Sequence, residues 1–217
     1  MARLKLGVLV SGRGSNLQAL LDAAADPAWP AEVALVLSNR ADAFALERAA
    51  TAGVNATVID HRAFPGKPAF EAAMDDALRA AGVELVCLAG FMRLLSPWFT
   101  GRWHDRLINI HPSLLPSFKG LDTHAQALAA GVRLHGCTVH FVRPAMDDGP
   151  ILVQAAVPVL DSDDEHALAG RVLAAEHRIY PLAVRLIAEG RVRVINERAS
   201  VDGSDAPDSA ALVNPAP

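Results

Sequence analysis

The sequence predicts an α/β fold: a mostly parallel sheet with a mixed C-terminal part and helices on both faces. Two observations carry this. In the first half, short β-rich runs alternate with helical patterns, the signature of βαβ units. In the second half, two strand-like runs leave little room for a helix between them, which predicts an antiparallel or mixed addition.

Leu4 to Val10, Val33 to Ser38, Ala56 to Ile59, Leu85 to Ala89 and Leu107 to Ile110 read as strands. Between them, Ser15 to Ala25, Asp42 to Ala52 and Pro68 to Ala81 read as helices. Their ends carry chemical marks. Ser15 with Gln18 fits a capping box, Pro68 suits a first helical position, and Gly53 and Gly82 stand where helices stop. Thr138 to Val142 and Ile151 to Leu160 are the later strands. A long helical pattern follows from Asp163 to Glu189 and ends at Gly190, with Pro181 predicting a kink or a new turn. Arg191 to Asn196 reads as a final strand. From about Ser200 the residues are too poor in large apolar groups to offset the entropy of ordering, which predicts a flexible tail over residues 200–217 and one domain over residues 1–199.

Composition narrows the function classes. A chain of 217 residues with 52% hydrophobic content can fill a sizeable core, and a formal net charge of -4 argues against a broad polyanion-binding face, so nucleic acid is not an expected partner. No apolar run approaches the roughly 18 residues that span a bilayer, and the N-terminus enters a strand without a signal-peptide pattern. No membrane association and a cytoplasmic location are the expectations. Cys87 and Cys137 each lie inside an apolar run and read as small core residues.

Strand one runs into Ser11-Gly12-Arg13-Gly14-Ser15-Asn16 and then a helix. Glycines let a backbone approach a phosphate closely, and the helix N-terminus offers unpaired N–H groups and a positive dipole end. Leu17 stands where the dinucleotide fingerprint needs a third glycine, and no P-loop lysine is present, which disfavours NAD and ATP sites. A tight turn and a good helix cap account for Ser15 equally well, but not for glycines on both sides of Arg13.

Asn109-Ile110-His111-Pro112 lies at the end of a predicted parallel strand, where ligands of open α/β sheets collect. Strand alternation points Asn109 and His111 to one side. Met146-Asp147-Asp148-Gly149-Pro150 is an acidic turn between two later strands and can bring a carboxylate over His111. The set suits addition to a carbonyl: a protonated His and an Asn amide donate to a developing oxyanion, and a nearby carboxylate favours the imidazolium. Ordinary turn chemistry and a satisfied buried histidine explain the same residues on spacing alone. His124, His135 and His140 match no zinc spacing, so no metal is expected.

Four segments together resemble the glycinamide ribonucleotide formyltransferases, the folate-dependent enzymes of purine synthesis. They are the run from Val10 to Leu17, Leu88-Ala89-Gly90-Phe91-Met92-Arg93, the run from Asn109 to Pro116, and Thr138-Val139-His140-Phe141-Val142. The resemblance runs from about Leu6 to Glu189. It implies a Rossmann-like formyltransferase fold with a phosphate-binding N-terminal half and a folate-binding C-terminal half. It further implies direct passage of a formyl group from 10-formyltetrahydrofolate to the amine of glycinamide ribonucleotide, without a metal, by a monomer or homodimer.

By the same resemblance His111 is the general acid, Asn109 hydrogen-bonds the formyl oxygen, and Asp147 keeps His111 protonated and assists proton removal from the attacking amine. Gly14, Ser15 and Asn16 hold the ribonucleotide phosphate, and Glu176 contacts its sugar or glycinamide part; a solvated helix carboxylate is the plain alternative for Glu176. Met92, Arg93, Leu94 and Leu95, with Asn109 and the backbone of Ala145, Met146 and Asp147, line the pterin pocket, and Lys67 stands near the folate. Core packing is the alternative for Met92, Leu94 and Leu95. Two residues depart from the family pattern, Asp148 where Gly or Ala is frequent and Asp122 where some members carry His. Related methionyl-tRNA formyltransferases and formyltetrahydrofolate deformylases carry an additional domain for which this length leaves no room, and a non-catalytic binding module has no need of all three of Asn109, His111 and Asp147.

Overall fold

The computed structural model describes residues 2–203 and residue 214; residues 204–213 and 215–217, the greater part of the expected tail, lie outside the described residues. Seven strands form the main sheet: β1 (Leu4–Val10), β2 (Ala31–Ser38), β3 (Ala56–Val58), β4 (Leu85–Leu88), β5 (Leu107–His111), β6 (Leu134–Phe141) and β7 (Ile151–Pro158). Their order is β3-β2-β1-β4-β5-β6-β7. Neighbours from β3 to β5 run parallel, whereas β5–β6 and β6–β7 are antiparallel. The chain leaves β1 towards β3 and returns to β4 on the other side, so the switch point of the parallel part lies between the carboxyl ends of β1 and β4.

Helices α1 (Ser15–Ala24), α2 (Ala45–Thr51), α3 (Lys67–Ala80), α4 (Pro97–Arg102), α5 (Thr123–Ala129) and α6 (Glu165–Ala188) cover both faces. Alternation along the strands divides the core in two. Leu6, Val8, Val10, Ile108 and Ile110 pack with Leu17 and Leu20 of α1 and with Val172, Tyr180 and Val184 of α6. Leu9, Leu37, Val86 and Leu107 pack on the opposite face with Phe70, Met74 and Leu78 of α3 and Phe99 of α4. Cys87 and Cys137 are free and fully buried, and burial pushes both thiols up to about 12. No described helix is long and apolar enough to cross a membrane.

The structure departs from the sequence expectation in four places. Gly14, not Ser15, is the N-cap of α1, and no side chain caps that helix, so the expected capping box does not form. The Gln18 amide instead donates to Asp22 and its oxygen accepts from Arg48. Pro181 neither ends nor restarts α6, which continues from Glu165 to Ala188. The last expected strand, β8 (Val192–Ile195), pairs antiparallel with β9 (Arg198–Val201) in a separate hairpin, so Ser200 and Val201 are strand residues. Helices α4 and α5, of six and seven residues, were not expected, being too short for a helical period to stand out.

Candidate active site

The segment between β6 and β7 leaves the sheet beside the amino end of β5, where Phe141 faces Ile108, and returns so that Asp147 meets His111, the last residue of β5. In β5, Ile108 and Ile110 enter the core, which leaves Asn109 and His111 on the other side of the strand. Across the antiparallel pairing Asn109 stands opposite His140, and His111 opposite Thr138. His111 is 5% exposed. Its Nε2 lies 3.1 Å from the Phe118 carbonyl and its Nδ1 lies 3.6 Å from Asp147 Oδ2. The latter separation is an ionic contact longer than a hydrogen bond. The same Asp147 oxygen accepts from the Gly120 backbone N–H at 2.9 Å, while its other oxygen faces His140 Nε2 at 3.9 Å.

His140 closes the arrangement. Its Nδ1 is 2.9 Å from the Phe141 carbonyl, which assigns the proton to Nδ1 and leaves Nε2 as acceptor for the Asn109 amide at 3.3 Å. Burial lowers the His140 pKa and favours this neutral ring. The Asn109 side chain is thereby oriented by a partner 31 residues away. His124 and His135 lie edge-on at 5.3 Å, and His135 is also edge-on to Phe118. Burial, reinforced by His124, pushes His135 down to about 4. With His140 turned to Asn109 and Phe141, the three late histidines do not converge on one point.

The glycine-rich turn expected to take a phosphate follows β1. Gly14 takes φ 70°, in the left-handed region, and a Cβ there would stand 2.6 Å from Ala45 Cβ. Glycine is therefore required twice, for conformation and for the close approach of α2. Helix α2 backs the turn: the Ala45 N–H donates to the Gly12 carbonyl, and Arg48 Nε donates to the Arg13 carbonyl at 2.9 Å. Helix α1 has no side-chain cap, so the N–H groups of its first turn have no side-chain acceptor at the cap. Asn16 Nδ2 donates to Glu176 Oε2 at 2.7 Å. Glu176 is 6% exposed, not a solvated helix carboxylate, and burial raises its pKa.

Ser11 joins this turn to the segment after β4, accepting from the Met92 N–H at 2.8 Å while donating to Asn39. Met92 and Leu94 are 67% and 69% exposed, which rules out core packing for both. Leu95 is half-buried against the α3 face of the core. Arg93, Ala145 and Met146 are exposed. Lys67 opens α3 and lies 4.0 Å from the buried Glu71, whose carboxylate accepts from the Ser96 backbone and hydroxyl. The structure thus brings Asn109, His111 and Asp147 together and pairs Asn16 with Glu176, whereas Lys67 reaches the site only through Glu71 and the end of the 91–96 segment. Two clefts elsewhere, one between α1 and α6 and one beside Arg40 and Arg62, are lined by none of these groups.

A family model described as formyl transferase matches residues 4–184, a span that includes every one of these side chains. The chain belongs to the formyl transferase family. It is 44% identical to the phosphoribosylglycinamide formyltransferase of Escherichia coli over 204 residues, covering 94% of this chain and 96% of that protein. It is 49% identical to the trifunctional purine biosynthetic protein adenosine-3 of Drosophila pseudoobscura pseudoobscura over 209 residues, yet spans only 15% of that relative's length. Among solved structures, glycinamide ribonucleotide transformylase 1 from Symbiobacterium toebii superposes with TM-score 0.90 at 52% identity, covering 92% of this chain and 94% of that one.

In this formyl transferase, the carboxylate at the departure Asp148 pairs with Lys119 Nζ at 2.6 Å, which holds its pKa down. Asp122 takes φ 54° at the start of α5 and makes no side-chain cap. Two groups at the site escaped sequence reasoning. His140 stands in one of the resembling segments and among three late histidines, but no role is assigned to it from sequence; the register of β5 against β6 sets it opposite Asn109. The Phe118 carbonyl is a backbone group with no residue-type signal.

Proposed function

We propose that this formyl transferase moves a formyl group from 10-formyltetrahydrofolate to the amine of glycinamide ribonucleotide. The observation that carries the reading is likeness over nearly the whole length of the Escherichia coli phosphoribosylglycinamide formyltransferase, with Asn109, His111 and Asp147 converging at the sheet's carboxyl edge. The amine nitrogen attacks the formyl carbon and the carbonyl oxygen becomes an oxyanion. Asn109, oriented by His140, and the imidazolium of His111 donate to that oxygen. Asp147 accompanies the charged ring and relays the proton lost by the amine; the C–N10 bond then breaks and N10 of tetrahydrofolate takes a proton. Preorganised donors supply the stabilisation that a Lewis acid would otherwise provide, so no metal is needed.

Gly14, Ser15 and Asn16 take the phosphate at the α1 N-terminus, and Glu176 takes the sugar or glycinamide part. Met92, Arg93, Leu94 and Leu95, with the backbone of residues 145–147, take the pterin, and Lys67 meets the acidic tail of the folate. The enzyme works in the cytoplasm as a monomer or homodimer, which cell fractionation and sedimentation test. The deciding assay follows tetrahydrofolate spectroscopically. It is expected to appear only with both substrates present and to continue in the presence of a chelator. Release without the acceptor would indicate a deformylase instead, and loss of rate with the chelator would overturn the metal-free mechanism.

A further inference from the structure

The two-residue turn of the β8–β9 hairpin is Asn196-Glu197, bracketed by the Ile195–Arg198 pair. Both residues have positive φ, 49° and 56°. Such a turn favours Asn followed by Gly, so glutamate occupies the position where glycine is least strained. Its carboxylate explains the choice: Glu197 Oε2 accepts from Arg143 Nε at 2.6 Å. On its other side the same guanidinium donates from Nη2 to Asp105 at 2.6 Å. Asp105 is itself a non-glycine residue at φ 55°. The Arg143 side chain is only 10% exposed. It is the last residue before Pro144-Ala145-Met146-Asp147, where Asp147 has φ 51°. A Cβ on Gly149, at the far end of that turn, would stand 1.7 Å from the Phe141 carbonyl, so that end of the turn is pressed against the end of β6.

Two of these left-handed residues, Asp105 and Glu197, therefore bind one guanidinium, with Asn196 next to Glu197 and Asp147 four residues beyond Arg143 in the chain, and strain of this kind persists only where surrounding contacts impose it. We propose that Arg143 is a positioning residue. By bridging Asp105 and Glu197 it ties the C-terminal hairpin to the base of the catalytic turn and sets where Asp147 stands against His111. The inference rests on the reading of Asp147 as the partner of His111.

Glu197→Gly and Arg143→Ala test it through hydrogen exchange of the peptide spanning residues 144–150, steady-state kinetics and thermal melting of the full chain. Glycine relaxes the hairpin turn, so Glu197→Gly is expected to melt no lower than wild type. It should nevertheless speed exchange in residues 144–150 and lower kcat about 3- to 10-fold, with the KM for ribonucleotide unchanged. Arg143→Ala should do at least as much, and the double variant no more than Arg143→Ala alone. Unchanged exchange in both single variants overturns the clamp whatever the enzyme's activity. Faster exchange with wild-type kcat overturns the link to Asp147. Absence of formyl transfer in the wild type overturns the functional reading alone, since the exchange result still decides whether the clamp holds the turn.

Discussion

The turn after β1 and the turn after β6 both carry candidate site residues, but they are held in opposite ways. In the first, the left-handed position is filled by Gly14, the helix that follows is regular, and α2 supports the loop through backbone carbonyls. In the second, the left-handed position is filled by Asp147, and its neighbours Phe118 and Asp122 in the facing loop are also non-glycine residues with positive φ. The turn after β1 uses a residue that fits its geometry. The turn after β6 holds a carboxylate at a fixed point at a cost in backbone strain. That contrast matches the tasks proposed for them, since an anion is recognised by many backbone donors, whereas acid–base work needs one side chain in one place.

The sharpest way to break the comparison is to disable the second turn while sparing the first. His111→Ala and Asp147→Asn are each expected to lower kcat by roughly 10²- to 10⁴-fold, the usual yield of a positioned proton-transfer group. Inorganic phosphate is expected to compete with the ribonucleotide equally in wild type and in both variants, because Gly14 to Asn16 are untouched. Near-normal turnover in His111→Ala would sink the assigned mechanism.

The converse experiment is Gly14→Ala. An L-residue in the left-handed region costs about 1–2 kcal/mol, and the added methyl meets both Cβ and Cα of Ala45, at 2.6 and 2.9 Å. The loop must move away from α2. The KM for ribonucleotide should rise at least about tenfold, with a lower urea midpoint and a smaller change in the KM for folate. An unchanged ribonucleotide KM would remove the turn from the phosphate site.

The same contrast explains what the sequence makes legible. Strands β1 to β5 and helices α1 to α3 carry local periodicity and breakers such as Gly53 and Gly82, both at positive φ where the helices end, so their places follow from short windows of residues. Asn109, His111 and Asp147 stand out as candidates because their residue types lie at a strand end and in an acidic turn, and the structure brings His111 and Asp147 within 3.6 Å. The partners that orient them were not. Asn109 meets His140 only through strand register, Asn16 meets Glu176 across 160 residues, and the Phe118 carbonyl has no side-chain signature. The β8–β9 hairpin also escaped, because Asn196-Glu197 lacks the glycine that marks its turn type.

Glu176 gives the smallest expected effect and refines the comparison, since it places strain in the first region by charge instead of backbone. Burial raises its pKa above the ordinary value of 4.5, against the opposing hydrogen bond from Asn16. A carboxyl whose folded pKa exceeds its unfolded one contributes stability that is complete below the unfolded value and lost as pH rises through the folded value. Wild-type stability should therefore decline over that interval, whereas Glu176→Gln, which still accepts from Asn16 and cannot ionise, should lack this decline. The gap between the two should widen with pH until Glu176 is fully ionised. If Glu176 also contacts the ribonucleotide, the more stable variant should need a few-fold more of it for half-maximal rate. Denaturation curves at several pH values that run parallel for the two proteins would show that the buried carboxylate carries no such cost, and the backbone contrast between the two turns would then stand alone.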